Sequence, residues 1–402
     1  MLPLVILLSL VISSTTFPLT SSNPASLHLL QSPSARCLDG TQAGYYIRAG
    51  SASSSSWVFS LEGGGECVSQ NDCLNRANTS LGSSKSWPPT TELGQYQSTD
   101  PIWNPRLFSA HHVFVKYCTG DLFIGGVTQP SSSTYGLFFS GRLVVQAVIN
   151  ELLPQGLSAA DLVVWSGDSA GGIGAVATAD FVANLLPHSK VVAAPIGGFY
   201  FPPPVYTGPD RVPLYVDFSV AAWSHICSVW QCMLPSTCAA KYPNNPAACA
   251  LGNYSLHYTT VPTFVVESQA DKISMLLHAG VNSTIDPPSQ NMLPFIKQWQ
   301  AIMIEELQSV AASLAEAKVP FSYFNPACWM HCEFSLTPKI GGTDFLHAFY
   351  AFLDVRDKAT HSLLHFPSNS IHDTRATQGH LQPYSDDCGF HCNPTCPKTL
   401  VE

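Results

Sequence analysis

Apolar and polar positions alternate along the middle of the chain with two different periods. Residues 113–117 form a β-branched and aromatic run typical of a strand, and residues 143–153 carry apolar side chains at helical spacing. Residues 162–165 are again a short apolar run, and the alanine-rich residues 171–186 predict a second helix. Strands that alternate with helices indicate an α/β fold, a three-layer sandwich around a mostly parallel central sheet.

Fewer clear elements follow towards the C-terminus. Residues 263–267 are a strand candidate, and residues 295–317 contain a long amphipathic helix. Two Pro- and Cys-rich stretches, residues 200–258 and 366–402, lack clear periodicity. We interpret both as loop insertions pinned by disulfides, so residues 36–402 are predicted to form a single domain.

The N-terminus has the features of a targeting segment. Residues 2–12 are apolar apart from Ser9, and this run is shorter than the roughly 20 residues that span a bilayer. Residues 1–16 are therefore predicted to be a signal peptide, with a buried first strand as the alternative. Residues 17–35 are rich in Ser and Pro and are predicted to be poorly ordered.

Cysteine usage favours an exported protein. The 402-residue chain has 13 cysteines, which is unusual for a cytosolic enzyme and typical of a disulfide framework with one thiol left over. We expect Cys67 to pair locally with Cys73. Three sequons, at Asn78, Asn253 and Asn282, are candidate glycosylation sites. Together these features predict an extracellular protein of the cell wall or matrix, without stable membrane insertion.

Composition and charge exclude several functions. With 46% hydrophobic residues the chain can build a large core, which excludes a disordered protein. The net charge of −9 lacks the basic footprint that nucleic-acid binding requires. Cys328, His331 and Cys332 superficially resemble a zinc-ligand cluster, but the oxidising compartment and the lack of paired C-x-x-C elements argue against zinc. We therefore expect no metal site.

The sharpest motif is Gly-x-Ser-x-Gly at Gly167, Ser169 and Gly171. An apolar run precedes it and an alanine-rich helix follows, which is the strand-turn-helix context in which such a serine is exposed as a nucleophile. The helix after Ser169 points its N-terminal amides and positive dipole end towards the place where an oxyanion would form. The alternative is a Gly/Ser turn without chemistry.

A glycine-rich loop follows an early strand candidate. Ser-rich residues 51–56 separate the apolar residues 44–47 from residues 57–61, which predicts a hairpin. The second run leads into residues 62–66 (EGGGE), where α/β-hydrolases place further oxyanion-binding amides. No Gly-Lys-Ser/Thr follows, so a phosphate-binding loop is disfavoured.

A serine nucleophile needs a base, and the base needs an orienting acid. In α/β-hydrolases the acid and then the histidine follow the serine along the chain. Asp271 comes just after a strand candidate, and Glu267 is the rival acid, nearer the end of that strand. For the base we favour His331 over the later histidines, because Cys328 and Cys332 flank it.

In these segments the sequence resembles the pectin acetylesterase/Notum family, secreted carboxylesterases with an α/β-hydrolase fold. The resemblance extends from about Cys37 to Cys396. The matching segments are residues 39–46 (DGTQAGYY), 61–67 (LEGGGEC), 117–121 (YCTGD), 167–172 (GDSAGG), 325–328 (NPAC) with His331, and 387–396 (DCGFHCNPTC).

The resemblance implies a role for each site residue. Ser169 would be the nucleophile, His331 the general base and then acid, and Asp271 the residue that orients the imidazole. The backbone amides that would hold the oxyanion belong to Gly64, Gly65 and Ala170. No metal ion or organic cofactor is implied.

The resemblance leaves two substrates open. One is an O-acylated polysaccharide such as pectin, from which the enzyme would remove acetyl groups. The other is an acylated secreted protein, from which a Notum-like palmitoleoyl-protein carboxylesterase would remove a fatty acyl group. Gly65 stands where animal Notum has an aromatic residue, and Glu66 adds a charge that would be costly beside a fatty chain, so we favour the polysaccharide. A non-catalytic binding protein of the same fold is the third hypothesis.

Overall fold

The computed structural model describes residues 24–360, 376–377, 380–381 and 383–397. The predicted signal peptide, residues 1–16, lies outside the described residues, as does most of the C-terminal stretch before residue 383. Within the described ranges, no helix is both long and apolar enough to cross a bilayer.

The strands form one large central sheet and two small ones. In chain order they are β1 (Ala25–Leu29), β2 (Gly44–Arg48), β3 (Ser56–Leu61), β4 (Thr90–Thr91), β5 (His111–Val115), β6 (Leu162–Asp168), β7 (Lys190–Ile196), β8 (Thr263–Val266), β9 (Ala270–Asp271), β10 (Phe321–Asn325), β11 (Trp329–Met330), β12 (Ala376–Thr377), β13 (His380–Leu381) and β14 (Tyr384–Ser385). The central sheet has the order β14-β10-β8-β7-β6-β3-β5-β2-β1-β4, while β9 pairs with β11 and β12 with β13.

Helices connect most of the parallel strands. In chain order they are α1 (Gln70–Arg76), α2 (Gly141–Leu152), α3 (Ala170–Leu185), α4 (Val220–Trp230), α5 (Ser236–Lys241), α6 (Gly252–Ser255), α7 (Lys272–Ser274), α8 (Leu293–Glu316) and α9 (Phe345–Thr360). Short 3-10 turns lie at Gln95–Gln97, Ser132–Thr134, Leu153–Gln155, Leu157–Ala159, Pro246–Ala250 and Leu256–Tyr258, and a π-helical turn at Met275–Ala279.

The central sheet is mostly parallel, as predicted. From β14 to β5 every neighbouring pair is parallel, whereas β2, β1 and β4 add an antiparallel edge. Successive residues of β6 belong to cores on opposite faces: Val163 and Trp165 share a cluster with Val182 of α3, and Val164 shares another with Phe349 of α9. The three-layer sandwich is therefore confirmed, and the strands and helices predicted from apolar spacing correspond to β5, α2, β6, α3, β8 and α8.

Two predictions near the N-terminus are wrong. The segment 17–35 was expected to be poorly ordered, but within it Ala25–Leu29 forms β1, which pairs antiparallel with β2 and leaves Leu30 and Ala35 buried. The Ser-rich turn was expected to close a hairpin, but β5 lies between β2 and β3 and pairs with both. Turn-forming residues show where the chain bends, and they do not determine which strand becomes the neighbour.

Disulfides pin the loop insertions, as predicted. Cys67 pairs with Cys73, which confirms the expected local bridge. The insertion at residues 200–258 holds the bridges Cys227–Cys232 and Cys238–Cys249 and also contains helices α4 to α6, which its sequence did not reveal. The remaining bridges are Cys37–Cys118, Cys328–Cys396 and Cys388–Cys392. Cys332 is the unpaired cysteine.

The close contact between helix α3 and strand β3 at Gly171 can be used to test the fold. A Cβ atom on Gly171 would lie 2.0 Å from the carbonyl oxygen of Leu61 in β3. Gly→Ala in a helix ordinarily stabilises by up to about 1 kcal/mol, but such a backbone clash typically costs about 1–3 kcal/mol. We expect Gly171→Ala to lower the thermal unfolding midpoint. Gly94→Ala, where a Cβ would meet nothing within 4 Å, is the matched control and should leave the midpoint unchanged.

Candidate active site

Ser169 occupies a strained turn between β6 and α3. Its φ of 55° and ψ of −120° place a non-glycine residue at positive φ, which is uncommon and is maintained only by the surrounding structure. The Ser169 amide donates to the carbonyl oxygen of Ile196 at 2.8 Å. A Cβ on Gly167 would lie 2.3 Å from the carbonyl oxygen of Gly171, so the turn requires a glycine there. The predicted strand-turn-helix context of Ser169 is confirmed.

The structure brings the candidate base and acid into contact. His331 Nδ1 lies 2.6 Å from Asp271 Oδ2. Strands β9 and β11 bring the two residues together, because Asp271 pairs with Met330, the residue before His331. Asp271 is fully buried, and its Oδ1 accepts from the amides of Ile273 at 3.0 Å and Ser274 at 2.8 Å. The carboxylate is thus fixed on both oxygens.

The charges of this pair stabilise each other against burial. Burial disfavours the imidazolium form of His331. The negative charge and the hydrogen bond of Asp271 outweigh this effect of burial and raise the pKa of His331 above 6.5. Burial likewise disfavours the carboxylate, yet the charge and hydrogen bond of His331 lower the pKa of Asp271. His331 Nε2, the nitrogen remote from Asp271, is buried and makes no hydrogen bond within the described part of the chain. That nitrogen is free to accept a proton.

Glu267, the rival acid, lies beside Asp271 rather than against His331. Its Oε2 accepts from the amide of Phe199 at 2.9 Å, and it has no hydrogen bond to His331. Burial, together with the negative charge of Asp271, raises the pKa of Glu267 well above its ordinary value. Burial therefore disfavours the carboxylate form of Glu267, and the geometry favours Asp271 as the partner of His331.

The glycine-rich loop lies directly against the serine turn. A Cβ on Gly63 would lie 2.8 Å from the carbonyl oxygen of Asp168, and Gly64 and Gly65 have φ angles of 137° and 66°. Arg76 fixes the loop, since Nη1 donates to the carbonyl oxygen of Gly64 at 2.8 Å and Nη2 to that of Glu66 at 3.1 Å. The sequence predicted the loop but not Arg76, which holds it from α1.

These elements enclose one cavity of about 510 Å³. Ser169, His331, Gly64 and Gly65 all line it, so the structure gathers these four predicted residues around a common space. Asp271 lies behind His331, and Ala170 is buried at the start of α3. The other lining residues are Gly63, Glu66, Arg76, Asp168, Tyr215, Ile273, Leu277 and Cys332.

Several polar residues lie in or beside this cavity, each in its own environment. Asp168 has a buried, unpartnered Oδ1, and burial raises its pKa to about 7 although the charge of His331 opposes the shift. Glu66 is buried, and its Oε1 lies 3.4 Å from Nε2 of His278. Tyr215 donates to the carbonyl oxygen of Glu66 at 2.8 Å. Asp168 was flagged only by adjacency to Ser169, and no sequence pattern indicated His278 or Tyr215.

The two cysteines near His331 do not have the form that binds zinc. Cys328 forms a disulfide with Cys396 and so has no thiolate to offer a metal. Cys332 keeps its thiol, but burial raises the pKa of that thiol well above its ordinary value, which disfavours the metal-binding thiolate. The bridge at Cys328 instead fastens the C-terminal segment beneath the His331 loop.

The three sequons differ in accessibility. Asn78 is exposed just after α1. Asn282 is half-buried and accepts a hydrogen bond from Thr284 Oγ1 at 2.5 Å. Asn253 lies in α6 with its Oδ1 buried. Asn78 therefore offers a glycan the most room and Asn253 the least.

Comparisons with known proteins identify the family of the chain. The family model described as pectinacetylesterase matches residues 20–397. Palmitoleoyl-protein carboxylesterase notum1' of Xenopus laevis is 30% identical over 380 residues, or 92% of this chain and 74% of that protein. Pectin acetylesterase 5 of Arabidopsis thaliana is 31% identical over 308 residues, or 74% of this chain and 70% of that protein.

A solved structure extends the agreement to the fold. The crystal structure of the Wnt deacylase Notum from Drosophila matches with a TM-score of 0.75 at 26% identity, covering 93% of this chain and 100% of that one. The family match spans nearly the whole chain, and its relatives are named as esterases. The chain therefore belongs to the pectinacetylesterase family and is a carboxylic ester hydrolase with an α/β-hydrolase-like fold.

Proposed function

We propose that this carboxylesterase is an exported enzyme that removes O-acetyl groups from a polysaccharide such as pectin, with Ser169, His331 and Asp271 as its catalytic triad. The observation that carries the mechanism is the His331–Asp271 hydrogen bond of 2.6 Å beside a cavity that Ser169 also lines. Competent residues at all three positions disfavour a non-catalytic binding protein.

The reaction proceeds by acyl transfer through Ser169. The hydroxyl oxygen attacks the ester carbonyl carbon while His331 Nε2 takes the hydroxyl proton, and Asp271 stabilises the imidazolium through Nδ1. The tetrahedral intermediate collapses, the bond between the acetyl carbonyl carbon and the sugar oxygen breaks, and His331 returns the proton to the departing alcohol. Water then attacks the acetyl-serine with the same base, which releases acetate and regenerates Ser169.

Backbone amides of Gly64, Gly65 and Ala170 would hold the oxyanion. Gly63 packs against the Ser169 turn, and Arg76 binds the carbonyl oxygens of Gly64 and Glu66, which keeps the loop in one conformation. Each donor in such a site typically contributes about 10²–10³ in rate. Fixed amides need no reorganisation when the negative charge develops.

Three polar residues, in a cavity whose exposed lining is otherwise mostly apolar, support a short acyl group on a hydroxylated alcohol. Glu66, Arg76 and Asp168 line it beside Ser169, and a buried charge or polar group next to a fatty chain would be costly. At Gly65 an added Cβ would meet only Arg76 Nη2, at 3.7 Å, so no side chain closes the cavity there. That opening leaves room for a sugar.

A Notum-like substrate, a fatty-acylated secreted protein, is the second candidate. Similarity to notum1' of Xenopus laevis extends over 92% of this chain, against 74% for the Arabidopsis pectin acetylesterase 5. Ile273 and Leu277 give the cavity an apolar side on which an acyl chain could pack. Chain-length preference decides between the two candidates.

Export is supported by the oxidised cysteines. Six disulfides join 12 of the 13 cysteines, a framework that persists in secreted proteins and is rare in the cytosol. The exposed sequon at Asn78 agrees with passage through a secretory route. We infer an extracellular location, with a glycan at Asn78.

The identity of the catalytic acid can be tested by two isosteric changes. Asp271→Asn should lower kcat by about 10⁴, because the amide favours the wrong imidazole tautomer. Activity should rise with pH as His331 loses its proton. Without the negative charge of Asp271 the pKa of His331 falls, so this rise should move from above pH 6.5 to a lower pH.

Glu267→Gln is the matched control. Since Glu267 does not hydrogen-bond to His331 and burial disfavours its charged form, kcat should stay within about 10-fold of the native value. Comparable losses of kcat in both variants would show that Asp271 is not the orienting acid.

The acyl chain length can be read from p-nitrophenyl esters. We expect kcat/KM to be at least about 10-fold higher for acetate than for octanoate, because burying a longer chain against Glu66 and Arg76 is unfavourable. Ser169→Ala gives the uncatalysed background for each ester. A preference for octanoate would reject deacetylation and favour the fatty-acylated substrate.

A further inference from the structure

A second cavity of about 400 Å³ lies outside the catalytic one. Arg142 of α2 and Asp180 and Phe181 of α3 form one side, and Ser236 and Thr237 of α5 form another. Since a helix rises 1.5 Å per residue, Phe181 lies about 18 Å along α3 from Ser169. We call this space the Arg142 cavity.

Arg142 is a buried cation without an anion. Its side chain is 7% exposed, and its guanidinium carbon lies 3.0 Å from the centre of the Phe181 ring. Nη1 is fully enclosed and has no hydrogen-bond partner, and no carboxylate among the described residues forms an ion pair with the guanidinium. Burial lowers the pKa of Arg142 to about 10, which leaves it charged at neutral pH.

An uncompensated buried charge is costly, and buried guanidinium groups are normally paired with carboxylate or phosphate. The planar guanidinium of an arginine can donate two parallel hydrogen bonds to one carboxylate. The face of Phe181 already occupies one side of the guanidinium. Because Arg142 lines the cavity, an anionic group that enters it would meet a guanidinium that has no ion-pair partner in the described part of the chain.

The rest of the lining suits a sugar ring rather than a bare anion. Asp180 Oδ1 accepts from the amide and the hydroxyl of Thr260 at 2.8 and 2.6 Å, and this carboxylate also borders the cavity. Elsewhere on the cavity wall, this carboxylate would disfavour a small bare anion and would accept hydrogen bonds from hydroxyl groups. Ser236 and Thr237 add exposed hydroxyls, and the volume falls in the range of small-ligand sites.

We propose that the Arg142 cavity is a second saccharide site that binds a hexuronate, with the carboxylate on Arg142 and ring hydroxyls on Asp180. The proposal rests on the proposed function, in which the substrate is an acidic polysaccharide. A chain of net charge −9 repels a polyanion at long range, and a local cation about 18 Å from Ser169 would hold one part of the polymer while another is deacetylated.

Calorimetry on the full-length Ser169→Ala protein tests binding without turnover. The probes are galacturonate, galactose and inorganic sulfate. Galacturonate should bind at least about 10-fold more tightly than galactose, which has the same ring without the carboxylate. Equal affinities, or binding of sulfate without galacturonate, would overturn the hexuronate site.

Two variants locate that binding in the Arg142 cavity. Arg142→Gln and Ser236→Trp should each weaken galacturonate binding at least about 10-fold, the first by removing the charge and the second by filling the cavity from an exposed position. Ser309→Trp, on an exposed serine of α8, is the matched control and should bind as before. Unchanged affinity in Ser236→Trp would place galacturonate elsewhere, even if Arg142→Gln fails to fold.

Activity measurements separate this proposal from the proposed function. In the Ser169-containing enzyme, Ser236→Trp should leave kcat/KM for p-nitrophenyl acetate unchanged and raise KM for acetylated pectin. Absence of pectin hydrolysis by the native enzyme would reject the proposed substrate, whereas loss of galacturonate binding in Ser236→Trp would still support the cavity. Identical KM values on pectin for the native enzyme and Ser236→Trp would contradict its role in holding the polymer.

Discussion

The hydrogen bond between His331 and Asp271 is the interaction on which the site depends. Each side chain alone would be unfavourable to bury in its charged form, and together they offset that penalty across 2.6 Å. Asp271 is also held by the amides at the start of α7, so the imidazole is oriented by a carboxylate that cannot rotate. Removing that carboxylate would leave His331 without its orientation and without the charge that raises its pKa.

The parallel sheet explains why this pair lies near Ser169. Ser169 follows β6, Asp271 follows β8 and His331 follows β10, and these strands run in the same direction with only β7 between β6 and β8. Their C-terminal ends therefore meet at one edge of the sheet, where open α/β sheets place their ligands. The glycine-rich loop after β3 reaches the same edge, because β3 is the other neighbour of β6.

Sequence reasoning identified the parts of the site whose chemistry is local. The turn at Ser169 requires glycines at fixed spacing, and the bridge between Cys67 and Cys73 spans only six positions, so both could be predicted from the chain. Strands β7 and β10 were missed, as was the pairing of β5 between β2 and β3, since pairing depends on packing that short apolar runs do not encode. Arg76 and Arg142 reach their cavities, and His278 reaches Glu66, through tertiary contacts alone, and no spacing rule could have placed them there.

The proposed acyl transfer requires Ser169 as the nucleophile. Treating the native enzyme with a fluorophosphonate ester and mapping its peptides by mass spectrometry tests this, because the reagent is attacked by an activated serine and remains bound to it. We expect one adduct, on the peptide that contains Ser169, which forms in parallel with the loss of esterase activity. Full activity in the labelled enzyme, or inactivation with the adduct on another residue, would contradict it.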